Sequence, residues 1–507
     1  MLLVADISGI QSYLLAVPAE GGRQARQYRA RSFRIQLILQ CAVQRVCQTL
    51  GLTPEDIIQN AAGSFAVRIA NRDRATAALE ALRVSFDDWL LDHTGGLLRL
   101  FLHLIDTDDL ANAFAQLSRM KLMPHRPAGS AWKTDLLCLP LPPDLSRLRE
   151  DDVALGTDLV RATWLSISDT GTHSQPDTIF GLHWQLSVDP PQPRQLLMCS
   201  QLQPNKPIPA NISSKCVNLP LAAYVPRARD GAIIEFEQLA SLARGDRLLG
   251  VLKADADSLG ALFRDARTLE ARTSLSRRLD HFFAVQTQQL LRDRFPSMYT
   301  IFAGGDDMLL VGPWNVALEL AGEVAEAFST AFRKEQLTLS AGVAVVPARL
   351  PIRSGVEQAE ELLHTAKTGD GTVKPRDCCA ALGQQWKWSE HPMLLGEADR
   401  LVSWVEQGRF SRAWLQLWKR EVNGLRSPPT ATDHAGLLAL SRLSHHTTRN
   451  IGSSARPQRG QDPDIVAWAE QQIADLDQPL SKQPPRSRLL PAILTYALFA
   501  TRNPTQE

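Results

Sequence analysis

Ala303-Gly304-Gly305-Asp306-Asp307-Met308-Leu309-Leu310-Val311 sets two glycines and two adjacent carboxylates between two short apolar runs. Tyr299 to Ala303 reads as one strand and Met308 to Val311 as the next. Glycine permits the tight turn and lets a phosphate approach the main chain. Carboxylates at such a tip are hard oxygen ligands for Mg²⁺, which keeps waters and shares its other positions with substrate phosphates. Polar hairpin tips also serve as plain turns, so the stretch needs support from elsewhere. Upstream, Leu248 to Ala254 is an apolar run ending in Asp255-Ala256-Asp257-Ser258. It reads as a buried strand with acids at its C-terminal end. Adjacent strands would set Asp255 beside the hairpin tip, and like charges held that close call for a cation between them.

The order of elements around this hairpin is regular. A helical stretch covers about Thr268 to Arg294. Val316, Leu320, Val324, Ala327, Phe328 and Ala331 form an apolar stripe at helical spacing. Leu337 to Val346 reads as a strand stopped by Pro347, and a helix follows from Gly355 to about Lys367. Such an alternation predicts an antiparallel sheet with helices packed on one face. The N-terminus repeats the order: strand Met1 to Ile7, helix Arg31 to Leu50, hairpin Ile57 to Val67, helix Arg74 to Leu91, strand Leu97 to Ile105. An overlay sets Asp6 on Asp255, Ser8 on Asp257, Gly63 on Gly305, Ser64 on Asp306 and Phe65 on Asp307. The first copy thus lacks both hairpin acids, and the second is expected to carry the chemistry.

Composition constrains the rest. A chain of 507 residues holds several domains. Fifty-five Lys and Arg against 54 Asp and Glu give a net charge of +1, so a nucleic-acid role must rest on local patches. The cysteines at 41, 47, 138, 199, 216, 378 and 379 form no CxxC pair, which excludes a zinc ribbon and a thioredoxin motif. Cys378-Cys379 reads as structural rather than redox-active. No apolar run reaches the length of a membrane span and no signal peptide precedes the first strand, so no membrane partner and a cytoplasmic location are expected. Arg23, Arg26, Arg29, Arg31 and Arg34 lie within 12 residues that contain no acid. They suit either a solvated helix face or phosphate contact with RNA or a subunit.

These residues resemble a family. Ala5-Asp6-Ile7-Ser8-Gly9-Ile10-Gln11, Arg29-Ala30-Arg31-Ser32-Phe33, Tyr224-Val225-Pro226-Arg227 with Phe236 to Ala240, Leu249 to Gly260, the Gly-Gly-Asp-Asp hairpin and Leu339-Ser340-Ala341-Gly342-Val343 occur in an ordered series. Together they look like the large polymerase–cyclase subunit of type III CRISPR effector complexes, closest to the Csm-type branch. The resemblance covers residues 1–105 and 220–388 well.

The resemblance implies an α+β chain with two ferredoxin-like palm domains of the nucleotide cyclase (GGDEF-like) kind. These would be a degenerate first palm at 1–105, a proline-rich linker domain at 106–235, a catalytic second palm at 236–388 and a helical domain at 389–507. It implies synthesis of cyclic oligoadenylates from ATP, through 3′–5′ linkages, when the complex binds target RNA. Guide RNA, target RNA and other CRISPR subunits, including a small helical one, would be the partners.

Two Mg²⁺ or Mn²⁺ ions would organise ATP, one activating a 3′-hydroxyl and the other neutralising the triphosphate. Asp255, Asp306 and Asp307 are the expected catalytic and metal ligands, with the carbonyl of Ala256 added by the cyclase resemblance. Gly304 and Gly305 would admit phosphates, and Ser258 would contact ribose or base. Lys367 would meet phosphate, or simply answer a helix C-terminus. Asp257 suits an ordering role in its turn. Ser8, Gly9 and Gln11 lie where a second nucleotide would sit, or form a fold turn.

The chain departs from the family in two places. The first palm starts at residue 1, leaving no room for the HD nuclease domain of many members, so no built-in DNase is expected. Only Cys199 and Cys216 lie where others carry a four-cysteine module, so no zinc is expected there. The other functional readings are a scaffold subunit that makes no messenger, and a stand-alone nucleotide cyclase.

Overall fold

A computed structural model of the chain describes residues 1–16, 23–61, 63–121, 145–169, 178–193, 196–202, 207–217, 224–259, 262, 269–369, 371, 373–425, 434–451, 462–478 and 482–502. The proline run Leu139 to Pro143 lies outside them. So does much of 424–465, where the sequence suggests a mobile loop. The chain divides into two compact units, Met1–Tyr224 with Leu259–Arg292 and Thr300–Asp306, and Val225–Ser258 with Asp293–Tyr299 and Asp307–Glu507.

Alternation builds the first sheet. Strand β1 (Leu2–Ser8) turns Leu3, Ala5 and Ile7 to one buried cluster and Leu2 and Val4 to another. After it come α1 (Ile10–Leu15), α2 (Gln24–Leu50), the hairpin β2 (Ile57–Ala61) and β3 (Ser64–Arg68), α3 (Arg72–Thr94), β4 (Arg99–Ile105) and α4 (Leu110–Lys121). The strands lie in the order β2-β3-β1-β4, with antiparallel neighbours. α2 and α3 cover the Leu3 face, and Leu110, Ala113 and Leu117 of α4 cover the Leu2 face. The expectation of helices on one face is therefore corrected. Leu2, Val4, Ala66 and Phe101 make the second face apolar, and it too must be buried.

Next come α5 (Leu145–Arg161), β5 (Trp164–Ser168), β6 (Thr178–Ile179), β7 (Leu182–Ser187) and β8 (Leu196–Gln201), the strands forming a sheet of order β6-β7-β5-β8. Leu155, Leu159, Leu165, Ile167, Leu182 and Met198 share one core with α2. This contact disposes of the arginine cluster. Arg31 is 1% exposed and Asp152 on α5 is fully buried. Arg31 Nε donates to Asp152 Oδ2 at 2.7 Å, and Arg34 Nη1 lies 2.8 Å from Asp152 Oδ1. Arg29 Nη2 donates to the Leu159 carbonyl at 3.1 Å. Three of the five arginines thus tie two helices together and do not form a solvated or RNA-facing patch.

The order then recurs. It runs α6 (Phe236–Ala240), β9 (Leu248–Ala256), α7 (Leu269–His281), a π-helical turn Phe282–Gln286, α8 (Thr287–Arg294), β10 (Tyr299–Gly304), β11 (Asp307–Pro313), α9 (Trp314–Ala331), β12 (Leu339–Pro347) and α10 (Ile352–Thr368). The strand order β10-β11-β9-β12 repeats β2-β3-β1-β4, so the duplication is built into the topology. Of the α9 stripe, Leu320, Val324 and Phe328 are buried, while Ala327 is exposed and Ala317 and Ala321 widen the face. Two glycines set how closely helices approach. A Cβ on Gly250 would lie 2.4 Å from that of Ala317 on α9, and one on Gly342 would lie 2.3 Å from the Ala359 carbonyl on α10. Val251, next to Gly250 and so on the opposite face of β9, meets Gly355 of α10. α9 and α10 therefore take opposite faces, as α2 and α4 do in the first copy.

Sequence reading missed β13 (Cys378–Ala381) and β14 (Gln384–Lys387), a hairpin that extends the sheet because β13 runs parallel to β12. Its turn residues Leu382 and Gly383 have φ of 52° and 78°, the paired left-handed conformation of a two-residue hairpin. Cys378 and Cys379 are buried on β13, in keeping with a structural role. The C-terminal helices are α11 (His391–Glu406), α12 (Arg412–Gly424), α13 (His434–Ile451), α14 (Pro463–Leu476), α15 (Pro485–Arg488) and α16 (Leu490–Ala500). Trp404, Phe410, Trp414, Trp418 and Trp468 pack ring on ring among them and make a helical core. Among the described residues no helix is long and apolar enough to cross a membrane.

Asp152→Ala leaves the buried Arg31 guanidinium and the part-buried Arg34 guanidinium without their carboxylate. It should cost about 3–5 kcal/mol of unfolding free energy. Denaturant titration checks this, and a change below about 0.5 kcal/mol would mark a solvent-screened surface pair instead.

Candidate active site

β11 pairs with β9 so that Asp307 stands directly opposite Asp255. Carboxylates facing each other across a ladder repel, and the chain answers them with its own cations. Lys253, two residues before Asp255 and on the same face, is almost buried and pairs with Glu360 of α10. Burial pulls the Lys253 ammonium below its usual range, and the charges of Asp307 and Asp255 oppose that. In its last turn α10 presents Lys367, whose Nζ pairs with Asp255 and donates at 3.4 Å to the Ala256 carbonyl. A positive charge thus already lies on two of the expected metal ligands.

Asp257 is separate. It is 2% exposed and accepts from Thr338 Oγ1 at 2.8 Å, Ser340 Oγ at 2.8 Å and the Asp377 amide at 3.0 Å. It orders the end of β9, as the sequence suggests. Ser258 has φ 61° and accepts at 2.9 Å from Nη1 of the exposed Arg376. Arg376 has no signal in the sequence reading, because the bend at φ 64° that brings it back to Ser258 is fixed by a long-range contact from its amide to the Ala366 carbonyl.

In the hairpin turn, Gly305 has φ 67°, the left-handed conformation expected of its glycine. A Cβ on Gly304 would meet nothing within 4 Å, so there is open space where a phosphate was expected to approach. Asp306, peptide-bonded to Asp307, is exposed at the apex. The Gly305 amide donates to Asp280 Oδ1 at 2.8 Å. Burial pushes the Asp280 carboxyl up to about 6; the Gly305 hydrogen bond opposes this and the Asp306 charge adds to it. Asp280 carries no signal for this role in the sequence, since nothing local ties residue 280 to a turn 25 residues later.

The first copy keeps half of the arrangement. Asp6 at the end of β1 pairs with Lys121 at the end of α4, the counterpart of Asp255 with Lys367. The overlay of the hairpins shifts by one residue, because the register sets Ser64 opposite Asp6 as Asp307 stands opposite Asp255. Gly63 and Ser64, not Ser64 and Phe65, thus take the acidic positions. Gly9 has φ 88°, and a Cβ there would lie 1.9 Å from the Leu97 carbonyl, so close packing already demands glycine. Ser8 ends β1 and Gln11 lies exposed on α1.

The donor set fits a hard divalent cation such as Mg²⁺ or Mn²⁺: two carboxylates, a main-chain carbonyl and an ammonium already seated on two of these oxygens. The sequence predicts three converging acids, whereas the register brings two face to face. Among the described residues no three His, Cys, Asp or Glu side chains converge to hold a metal by themselves.

Two family models match the chain, the second palm domain of Cas10/Cmr2 over residues 248–376 and domain B of the Csm1 subunit over residues 1–121. A subtype III-A Cas10/Csm1 protein of Thermococcus onnurineus, named a CRISPR system single-strand-specific deoxyribonuclease, is 25% identical over 93% of this chain and 68% of its own length. The protein of the same name in Enterococcus italicus is 24% identical over 89% of this chain and 63% of its own. Among solved structures, the Csm1–Csm4 subcomplex of the type III-A CRISPR-Csm interference complex covers 99% of this chain and matches over 70% of its own, at TM-score 0.72 and 22% identity. Csm1–Csm4 cassettes solved with one ATP, with cA3 and with cA4 match at TM-scores of 0.70, 0.69 and 0.69. Domain models, curated relatives and structural neighbours together support a Csm-type large subunit of the Cas10/Csm1 kind.

Proposed function

We propose that this chain makes cyclic oligoadenylates from ATP in its second palm, as the large subunit of a type III effector complex that has bound target RNA. The observation that carries the reading is the facing pair Asp255 and Asp307, with the Lys367 ammonium on Asp255 and the Ala256 carbonyl. The palm family model and the ATP, cA3 and cA4 held by structural relatives support it. Guide RNA, target RNA and neighbouring subunits, a small helical one among them, are the proposed partners. The Csm4 bound to the relatives is in keeping with that.

In each step a 3′-hydroxyl gives its proton to solvent water as its oxygen bonds to the α-phosphorus of an ATP, the bond from that phosphorus to the oxygen bridging to the β-phosphorus breaks, and pyrophosphate leaves with that electron pair. Asp255, Asp306, Asp307 and the Ala256 carbonyl would hold the divalent cations, which activate the hydroxyl and neutralise the leaving pyrophosphate. The chain's own residues position and screen. Lys367 exchanges its carboxylate for a phosphate oxygen when nucleotide arrives. The open side of Gly304 admits the triphosphate to the main chain, and Ser258, oriented by Arg376, faces the nucleoside.

The assembled complex with target RNA, ATP and Mn²⁺ should yield cyclic oligoadenylate by mass spectrometry, and absence of product there overturns the reading. Assay of the same preparation on single-stranded DNA reads the activity carried in the relatives' names.

Asp306→Ala with Asp307→Ala should abolish synthesis while the complex still assembles on gel filtration. Retained synthesis would remove the hairpin from the mechanism. Lys367→Ala should raise the KM for ATP roughly 10- to 100-fold through loss of a charge-assisted contact. The same change should tighten Mn²⁺ binding in the absence of nucleotide, since a competing cation is gone; titration calorimetry showing weaker Mn²⁺ binding would refute that placement of the lysine.

A further inference from the structure

We propose that Asp280, in the last turn of α7, is a positioning residue for the Gly305–Asp306 turn. This deepens the function proposed above and rests on it. Gly305 is buried, so its amide needs a partner, and Asp280 Oδ1 supplies one at 2.8 Å. The bond reaches across 25 residues to the turn that carries Asp306 and Asp307.

The place is a costly one for a carboxylate. Burial disfavours the charged form of Asp280, and the charge of Asp306 lies close enough to add to that cost. A group serving only to fill space there would be apolar or amide. Asp280 is also kept from swinging. The π-helical turn Phe282–Gln286 follows at once, with the rings of Phe282 and Phe283 buried edge to face. Such single π turns recur at functional sites. Beyond it Gln288, 1% exposed, takes the other end of the same strand: its Oε1 accepts from Thr300 Oγ1 at 3.1 Å and from the Tyr224 amide at 2.8 Å. One helical arm therefore grips β10 at its start through Gln288 and just past its end through Asp280. The strand cannot slide, and the φ of Gly305 is fixed from outside the turn. An error of about 1 Å in placing a reacting group costs on the order of 100-fold in rate, so this grip bears on turnover.

Asp280→Ala and Asp280→Asn separate the hydrogen bond from the charge, because both remove the charge and only asparagine keeps an acceptor oxygen. In Asp280→Ala, amide exchange in the peptide containing Gly305 should quicken roughly 10- to 100-fold in the full-length chain. In the RNA-bound complex kcat for synthesis should fall about 10- to 100-fold with the KM for ATP within about threefold. Asp280→Asn should restore most of both. Asp280→Leu, which fills the volume without an acceptor, replaces the alanine variant should that fail to fold. Wild-type exchange and kcat in the acceptor-free variant, or an asparagine variant no better than it, overturns the proposal. If the wild-type complex makes no product, the functional reading has failed, and exchange at Gly305 alone decides the role of Asp280.

Discussion

Two carboxylates on neighbouring strands, Asp255 and Asp307, are held face to face by the backbone register of β9 and β11. Their repulsion is a fixed charge on the fold, and much of the second palm is arranged around it. α10 must lie close over that face to bring Lys367 to Asp255 and Glu360 to Lys253, and Gly342 allows the approach where any Cβ would strike the helix backbone. The second face needs its own helix for a different reason, the apolar side chains of β9 and β11 that α9 buries. A sheet covered on both faces is thus the joint result of one electrostatic and one hydrophobic demand.

The first copy shows what remains when the electrostatic demand is relaxed. Its strand order and both helical layers persist, and so does the pairing of a strand-end acid with a lysine at the end of the covering helix, Asp6 with Lys121. Gly63 and Ser64 occupy the acidic turn positions, so no second carboxylate faces Asp6. Burial pushes the Asp6 carboxyl up and Lys121 pulls it back. Packing, then, accounts for the duplicated scaffold, and the acids of the hairpin are an addition to it.

What the sequence made legible follows the range of the forces involved. Asp255, Asp307, the glycine turn and the alternating elements are local patterns that lie where their spacing predicts, whereas Asp306, expected to converge with the other two acids, stands exposed at the apex. Lys367 was legible as a residue, with two roles open, and its contact with Asp255 and Ala256 favours the site over the helix terminus. The arginine cluster misled because its partner, Asp152, is 121 residues from Arg31 and nothing local announces it. Asp280 and Arg376 were hidden for the same reason. The one-residue error in the hairpin overlay came from matching glycines, Gly63 on Gly305, where the hydrogen-bonded register matches Ser64 to Asp307. The β13–β14 hairpin escaped because its left-handed turn uses Leu382 before Gly383, a residue that rarely takes that conformation.

Charge balance separates the two copies more sharply than the sequence motif does. In the first, Asp6 and Lys121 cancel. In the second, Asp255, Asp307 and Glu360 set three negative charges against the two of Lys253 and Lys367, and these five groups carry a net charge of −1. Lys253 is engaged by Glu360 and nearly buried, so only Lys367, on the rim, has room to leave. When it does, the deficit at Asp255 and Asp307 doubles, and the attraction for a divalent cation grows as the ammonium moves to a phosphate. On the proposed function, arrival of a cation and of a polyphosphate would then favour each other at this site, whereas in the first copy a departing Lys121 would uncover a single carboxylate that burial already inclines to take a proton.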